Sequence, residues 1–165
     1  NYEKYINAVY EVFKRDFIEY RPLFGGYRLG LKHHPSFQNR AYTFYHMTHK
    51  GEVENDREPD LRRCECMPWA RPTIEKVSEY SLKFWEQRRN GKRRICIWLE
   101  VEDDIDYFFV LDIRKTFILP WTAFVLEYSH QKLKKQREYE EWLSLQKGRI
   151  YSPRELVCKI MDELA

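Results

Sequence analysis

The segment LKFWEQRRNGKRRICIWLEV, residues 82–101, decides how this chain folds. Asn90-Gly91 is the pair that a two-residue β-hairpin turn favours, because both central positions need positive φ. Beyond the turn, Ile95, Ile97, Leu99 and Val101 alternate with other residues and so share one face of a strand over 94–101. Before it, Leu82, Phe84 and Glu86 lead in as the partner strand. Towards the C-terminus the pattern repeats. Residues 103–106 predict a second turn, 107–113 a third strand, 114–116 a third turn and 117–128 a fourth strand. Pro120 falls in that last strand, where a residue without an N–H donor marks an edge or a bulge. Four consecutive antiparallel strands, a meander, result.

Helices flank this sheet on both sides in sequence. Tyr2, Ile6, Val9, Tyr10, Phe13 and Phe17 recur at spacings of three and four, which predicts an amphipathic helix over 2–20. Pro22 and Gly25-Gly26 end it. Residues 41–46, rich in aromatics at Tyr42, Phe44 and Tyr45, predict a strand. Residues 52–72 are polar, contain three prolines and lack a sustained period, which predicts a long ordered loop; 71–79 adds one or two helical turns. Residues 129–146 return to helix formers, and Ser152-Pro153-Arg154-Glu155 opens a last helix with a capping box. The expectation is one α+β domain over 1–165: a four-stranded antiparallel sheet, an N-terminal helix and two C-terminal helices.

Composition narrows the class. With 165 residues, 43% hydrophobic and 16% aromatic, the chain has enough apolar surface for one sizeable core, which argues against disorder. No apolar run approaches the roughly 20 residues of a membrane helix. The first residues lack the basic, apolar and small-residue succession of a secretory leader. Four cysteines, at 64, 66, 96 and 158, do not resemble a disulfide framework and fit a reducing cytoplasm. Net charge is only +3, too little to identify a nucleic-acid binder from the total, but the charge is polarised. Residues 88–94 and 132–137 are basic runs, while Glu102, Asp103, Asp104 and Asp106 form an acidic turn.

Four of the five histidines lie between His33 and His49. Histidine titrates nearest neutral pH, so His46 and His49 at the end of one element are candidate acid and base for proton transfer. Two polar residues on a turn are the plain alternative. His33 and His34 are weaker candidates, because neighbours on an extended loop point apart. A zinc site built from His46, His49, Cys64 and Cys66 has the right ligand types, but Cys-x-Cys is not the usual spacing. Arg62 and Arg63 offer planar guanidinium groups to a phosphate, with ion pairs to Asp56, Glu58 or Asp60 as the competing use. Trp69 and Arg71 add a stacking surface and a further donor. Arg88, Arg89, Lys92 and Arg94 around the hairpin turn suit a phosphate backbone, or else a solvated tip. Thr122 offers a hydroxyl from the last strand.

The stretch Tyr45-His-Met-Thr-His-Lys-Gly51 and the strand closing on Trp121-Thr122-Ala123, set in this order of elements, resemble the barnase, EndoU, colicin and RelE-like nuclease superfamily. Within it they are similar to the phage- and prophage-associated branch, over about residues 25–128. The resemblance implies a toxin-like, metal-independent endoribonuclease without a cofactor. Histidine, lysine or arginine, and a serine or threonine near the last strand surround the scissile phosphate in that superfamily. The matching positions here are His46, His49, Arg62 or Arg63, and Thr122. RNA is then the substrate, and an antitoxin or immunity protein a further partner. The rival reading is a non-catalytic nucleic-acid- or protein-binding module that uses the basic hairpin.

Overall fold

The central sheet of the computed structural model, which describes residues 1–101 and 105–165 and only the backbone of Asn55, is the expected meander. Strands β5 (Lys83–Arg89), β6 (Lys92–Val101), β7 (Ile105–Ile113) and β8 (Ile118–Val125) pair antiparallel in the order β5-β6-β7-β8. Asn90 and Gly91 turn the first hairpin with φ of +51° and +75°, the left-handed pair that the dipeptide predicts. Of the predicted acidic turn, Glu102, Asp103 and Asp104 lie outside the described residues, while Asp106 belongs to β7. At Pro120 the register slips: Leu111 faces Pro120 but Val110 faces Thr122, so Trp121 is the extra residue of a β-bulge. Proline cannot donate to the ladder, and the bulge absorbs that defect.

Both faces of the sheet are covered. One carries Ile95, Ile97, Phe109, Leu111 and Ile113 into the main core. The N-terminal helix α1 (Tyr2–Phe13) adds Ile6, Val9 and Phe13 to it. Past α1 the predicted helix widens into a π-helical segment, Lys14–Glu19, which buries Phe17 and Asp16. The opposite face carries Trp85, Cys96, Trp98, Phe108 and Val110 towards the helix α5 (Ser129–Leu145), whose Tyr139 and Trp142 pack against them. The final helix α6 (Pro153–Leu164) has its capping box, with Glu155 N–H donating to Ser152 Oγ at 3.1 Å. It returns Leu156, Val157 and Ile160 to the main core. Gly25, in the turn between β1 (Leu23–Phe24) and β2 (Tyr27–Arg28), abuts this helix: a Cβ there would meet Arg154 N at 2.6 Å.

Two expectations are corrected. Residues 41–46 are not a strand; Tyr42–Thr48 is a helix, α2. Aromatic composition favours strands, but Tyr42, Thr43, Phe44, Tyr45, Met47 and Thr48 are all buried, and packing on nearly every side of the segment overrides propensity. Backbone carbonyls start this helix: His33 O accepts from Tyr42 N–H at 3.1 Å and Lys32 O from Thr43 N–H at 3.0 Å.

Residues 52–72 are not a plain loop either. They hold a 3-10 turn (Glu54–Asp56), a strand β4 (Glu58–Pro59) paired with β3 (His49–Lys50), and the helices α3 (Leu61–Glu65) and α4 (Met67–Glu75). Asp60 caps α3 by accepting from Arg62 N–H at 3.0 Å. Pro68 sits in the first turn of α4, where the missing donor costs nothing. Asp60 and Pro68 thus mark helix starts, while Pro59 lies in β4 and Pro72 inside α4.

Phe109 is fully buried at the centre of the sheet. Phe109→Ala is expected to cost about 3–5 kcal/mol of unfolding free energy, as large-to-small aromatic changes do in cores. Leu145→Ala, on the exposed end of α5, stays within about 0.5 kcal/mol. Urea unfolding of both variants beside the parent checks this.

Candidate functional site

His46 and His49 stand at the C-terminal end of α2 and just beyond it, where helix carbonyls lack partners within the helix. Two residues from elsewhere supply those partners. Arg63 Nη1 on α3 donates to His49 O at 2.6 Å and to His46 O at 3.3 Å. Thr122 Oγ1 on β8 donates to His46 O at 3.1 Å. Asp60 steadies this arrangement, with its carboxylate 3.4 Å from Arg63 Nε and its N–H donating to Thr48 O at 2.8 Å. Arg63 and Thr122 therefore lie beside the histidines, with these donors spent on the histidine-bearing backbone.

The two imidazoles have different surroundings. His46 is largely buried, its ring 4.3 Å from Tyr42 and 5.5 Å from Trp121. Its Nε2 is 3.4 Å from Glu54 Oε1. A carboxylate only accepts, so Nε2 carries the hydrogen and Nδ1 keeps a free lone pair. Glu54 also accepts from the Tyr42 hydroxyl, and its backbone carbonyl accepts from Tyr45 Oη at 3.0 Å. His49 is buried, its ring 4.4 Å from Tyr45, with Nδ1 at 2.9 Å from Thr48 Oγ1. The Thr48 hydroxyl gives its own hydrogen to Phe44 O at 2.8 Å, so it accepts from His49. Both rings are largely buried, the His46 side chain at 13% exposed and His49 at 7%, and they differ chiefly in partner, a carboxylate for His46 and a hydroxyl for His49.

Burial, and then the Arg57 guanidinium, push both imidazoles down to about 4. For His46 the hydrogen bond to Glu54 opposes this without reversing it. Both rings are neutral at pH 7, and the contact with Glu54 is a hydrogen bond, not an ion pair. Arg57 Nε donates to Gly51 O at 3.1 Å, and its Nη1 is buried with no hydrogen-bond partner among the described residues. Lys32 Nζ lies 4.1 Å from the Tyr42 ring centroid, and the Arg94 guanidinium 4.9 Å from that of Trp121. A neutral base oriented by a carboxylate, between aromatic rings and ringed by cations, can accept a proton beside an anionic substrate.

The other candidates are dispersed. Arg62 is exposed, 3.4 Å from Glu127. Trp69 packs on the main core, 6.5 Å from the Tyr107 ring, and Arg71 is engaged by Glu75 at 2.9 Å and by the Tyr20 ring at 3.4 Å. At the hairpin, Arg88 is held by Glu86 at 3.1 Å and by Glu163 at 3.3 Å, while Arg89 and Lys92 are exposed beside the turn. Arg94 alone of that run reaches the Trp121 ring. Cys64 and Cys66 are buried thiols pushed up to about 11, chiefly by burial. Among the described residues no group of three or more His, Cys, Asp or Glu is placed to hold a metal ion, so the four zinc candidates do not assemble.

Sequence reasoning missed Glu54, Tyr42, Lys32 and Arg57. Glu54 and Arg57 sit in the segment read as loop, and Tyr42 on the segment read as strand. A helical reading of 42–48 would have set Tyr42 one turn before His46. No helix among the described residues is long and apolar enough to cross a membrane. In comparisons with known proteins, no family model, curated protein or solved structure matches this chain.

Buried neutral histidines leave a signature in stability. Their folded-state pKa lies below the ordinary 6.5, so the unfolded chain binds protons first as pH falls. The contribution is complete above pH 6.5 and is lost as pH falls from there towards 4, by about 3 kcal/mol per group. Urea unfolding across this range should show that loss, and His49→Asn should remove about half of it. Flat stability between pH 6.5 and 4 contradicts the buried, neutral assignment.

Proposed function

We propose that this protein is a metal-independent, toxin-like endoribonuclease that cleaves RNA by attack of a 2′-hydroxyl on the adjacent phosphate. The observation that carries the reading is the hydrogen bond between His46 and Glu54, which leaves a neutral imidazole with a free Nδ1 between Tyr42 and Trp121. The resemblance of the Tyr45–Gly51 stretch and the Trp121–Ala123 strand end to the barnase, EndoU, colicin and RelE-like superfamily supports the same reaction class.

His46 Nδ1 takes the proton of the 2′-hydroxyl as the 2′-oxygen bonds to phosphorus. The bond from phosphorus to the 5′-oxygen breaks, and that oxygen takes a proton from the Lys32 ammonium. Products are a 2′,3′-cyclic phosphate and a 5′-hydroxyl. Lys32 and His46 then exchange protons with water to restore their starting forms. His49, neutral at pH 7, is not the acid of this scheme; with Arg63 and Thr122 it positions the end of α2. Arg57 and Arg94 add positive charge where the phosphate gathers negative charge. RNA is the partner this reading requires, and an antitoxin or immunity protein is the one that the resemblance adds.

Purified protein should cut cellular RNA in excess EDTA, and end analysis should find 2′,3′-cyclic phosphates. Folded His46→Ala should lose about 10²–10⁴-fold in rate, the usual contribution of a positioned base. The acid limb of kcat/KM should fall near pH 4, where the free His46 protonates, and not near 6.5. RNA left intact, with binding that weakens steeply in salt, would instead identify a binding module.

A further inference from the structure

Two aromatic rings end a run of ring contacts that passes through His46, and each is fixed by its own backbone device. Trp121 is the extra residue of the β8 bulge, a feature that re-aims a side chain out of the strand's regular alternation. Its half-buried indole lies 5.5 Å from the His46 ring, with the Arg94 guanidinium 4.9 Å and Lys32 Nζ 6.0 Å from its centroid. Phe37 ends the run of ring contacts that continues from His46 through Tyr45. The residue is 46% exposed, yet its ring is 4.8 Å from Tyr45 and 6.4 Å from His49, and Tyr45 is itself 6.4 Å from His46.

Phe37 is not on a loose loop. Phe37 and Arg40 exchange backbone hydrogen bonds of 3.1 and 2.9 Å across Gln38 and Asn39, both at positive φ. Arg40 Nη2 then ties this turn to Asn7 on α1 at 2.6 Å. Burial does not account for so exposed a ring held so firmly, whereas a stacking surface needs both properties.

We infer that Trp121 and Phe37 are stacking platforms for two successive nucleobases, one on each side of the phosphate placed at His46. This rests on the ribonuclease reading and adds to it a subsite structure and the residues that set base preference. The Phe37–Tyr45, Tyr45–His46 and His46–Trp121 steps of 4.8, 6.4 and 5.5 Å put the two rings at the two ends of one run of ring contacts with His46 inside it, and single-stranded RNA presents splayed bases to such a run. Stacking tolerates any base, and the cations at Arg94 and Lys32 bias the Trp121 side towards the base that best accepts them.

Binding of 2′-deoxy dinucleotides tests the inference, because they lack the attacking hydroxyl and report on the subsites without any cleavage. Calorimetric titration of all base combinations should give a preference at both positions in the parent protein. Phe37→Ala should weaken binding about five- to a hundred-fold and flatten the preference at one base only. Trp121→Ala should do the same at the other base, and Trp121→Phe, which keeps a ring, should retain most of the affinity. Unchanged thermal melting shows that the variants are folded, and Trp121→Phe covers the case in which the alanine variant is not. No dinucleotide binding, unchanged affinity in both platform variants, or both acting on the same base overturns the inference, whatever happens to RNA. Dinucleotide binding as described with RNA left uncut keeps the platforms and removes the nuclease.

Discussion

The end of α2 is the point on which the site depends. A helix that stops inside a folded domain leaves carbonyl oxygens to satisfy, and here the carbonyls of His46 and His49 meet Arg63 from α3 and Thr122 from β8. These bonds join three elements distant in sequence and fix where the imidazoles stand relative to the sheet. The cationic guanidinium also suits the negative end of a helix dipole. The bulge at Trp121 belongs to the same arrangement, since it sits next to the threonine whose hydroxyl reaches α2.

Electrostatics follow from that placement. Burial strips water from both imidazoles, and Arg57 makes a second positive charge nearby unwelcome, so both rings are neutral at pH 7. A pair of histidines in sequence invites an acid and a base, but two neutral rings supply bases only. Their surroundings separate them further: Glu54 orients His46, while Thr48 and Tyr45 hold His49. The proton donor of the proposed reaction is accordingly a lysine from the chain leading into α2.

Strands were legible where periodicity and turn chemistry agreed. Asn90-Gly91, the alternation from Ile95 to Val101 and the proline in the last strand each correspond to a feature of the meander. The capping box at Ser152 marked its helix for the same reason, a local hydrogen-bond pattern written into adjacent residues. Residues 41–46 read as a strand because aromatics favour strands in general, and it is tertiary packing on nearly all sides of α2 that overrides this propensity. His46 was legible as a residue type in a cluster. Its partner Glu54 was not, since the contact depends on a 3-10 turn inside a polar segment with no period. Arg63 and Thr122 were found by type, but the carbonyls that hold them are invisible in a sequence.

The proposed chemistry depends on the state of one imidazole. Long-range ¹H–¹⁵N correlation spectra of the histidine side chains, followed down through the acid range, report tautomer and protonation of His46 directly. The prediction is a neutral ring at pH 7 with hydrogen on Nε2 and none on Nδ1, gaining its second proton only near pH 4. Protonation of His46 near 6.5, or a neutral ring with its hydrogen on Nδ1, would contradict it.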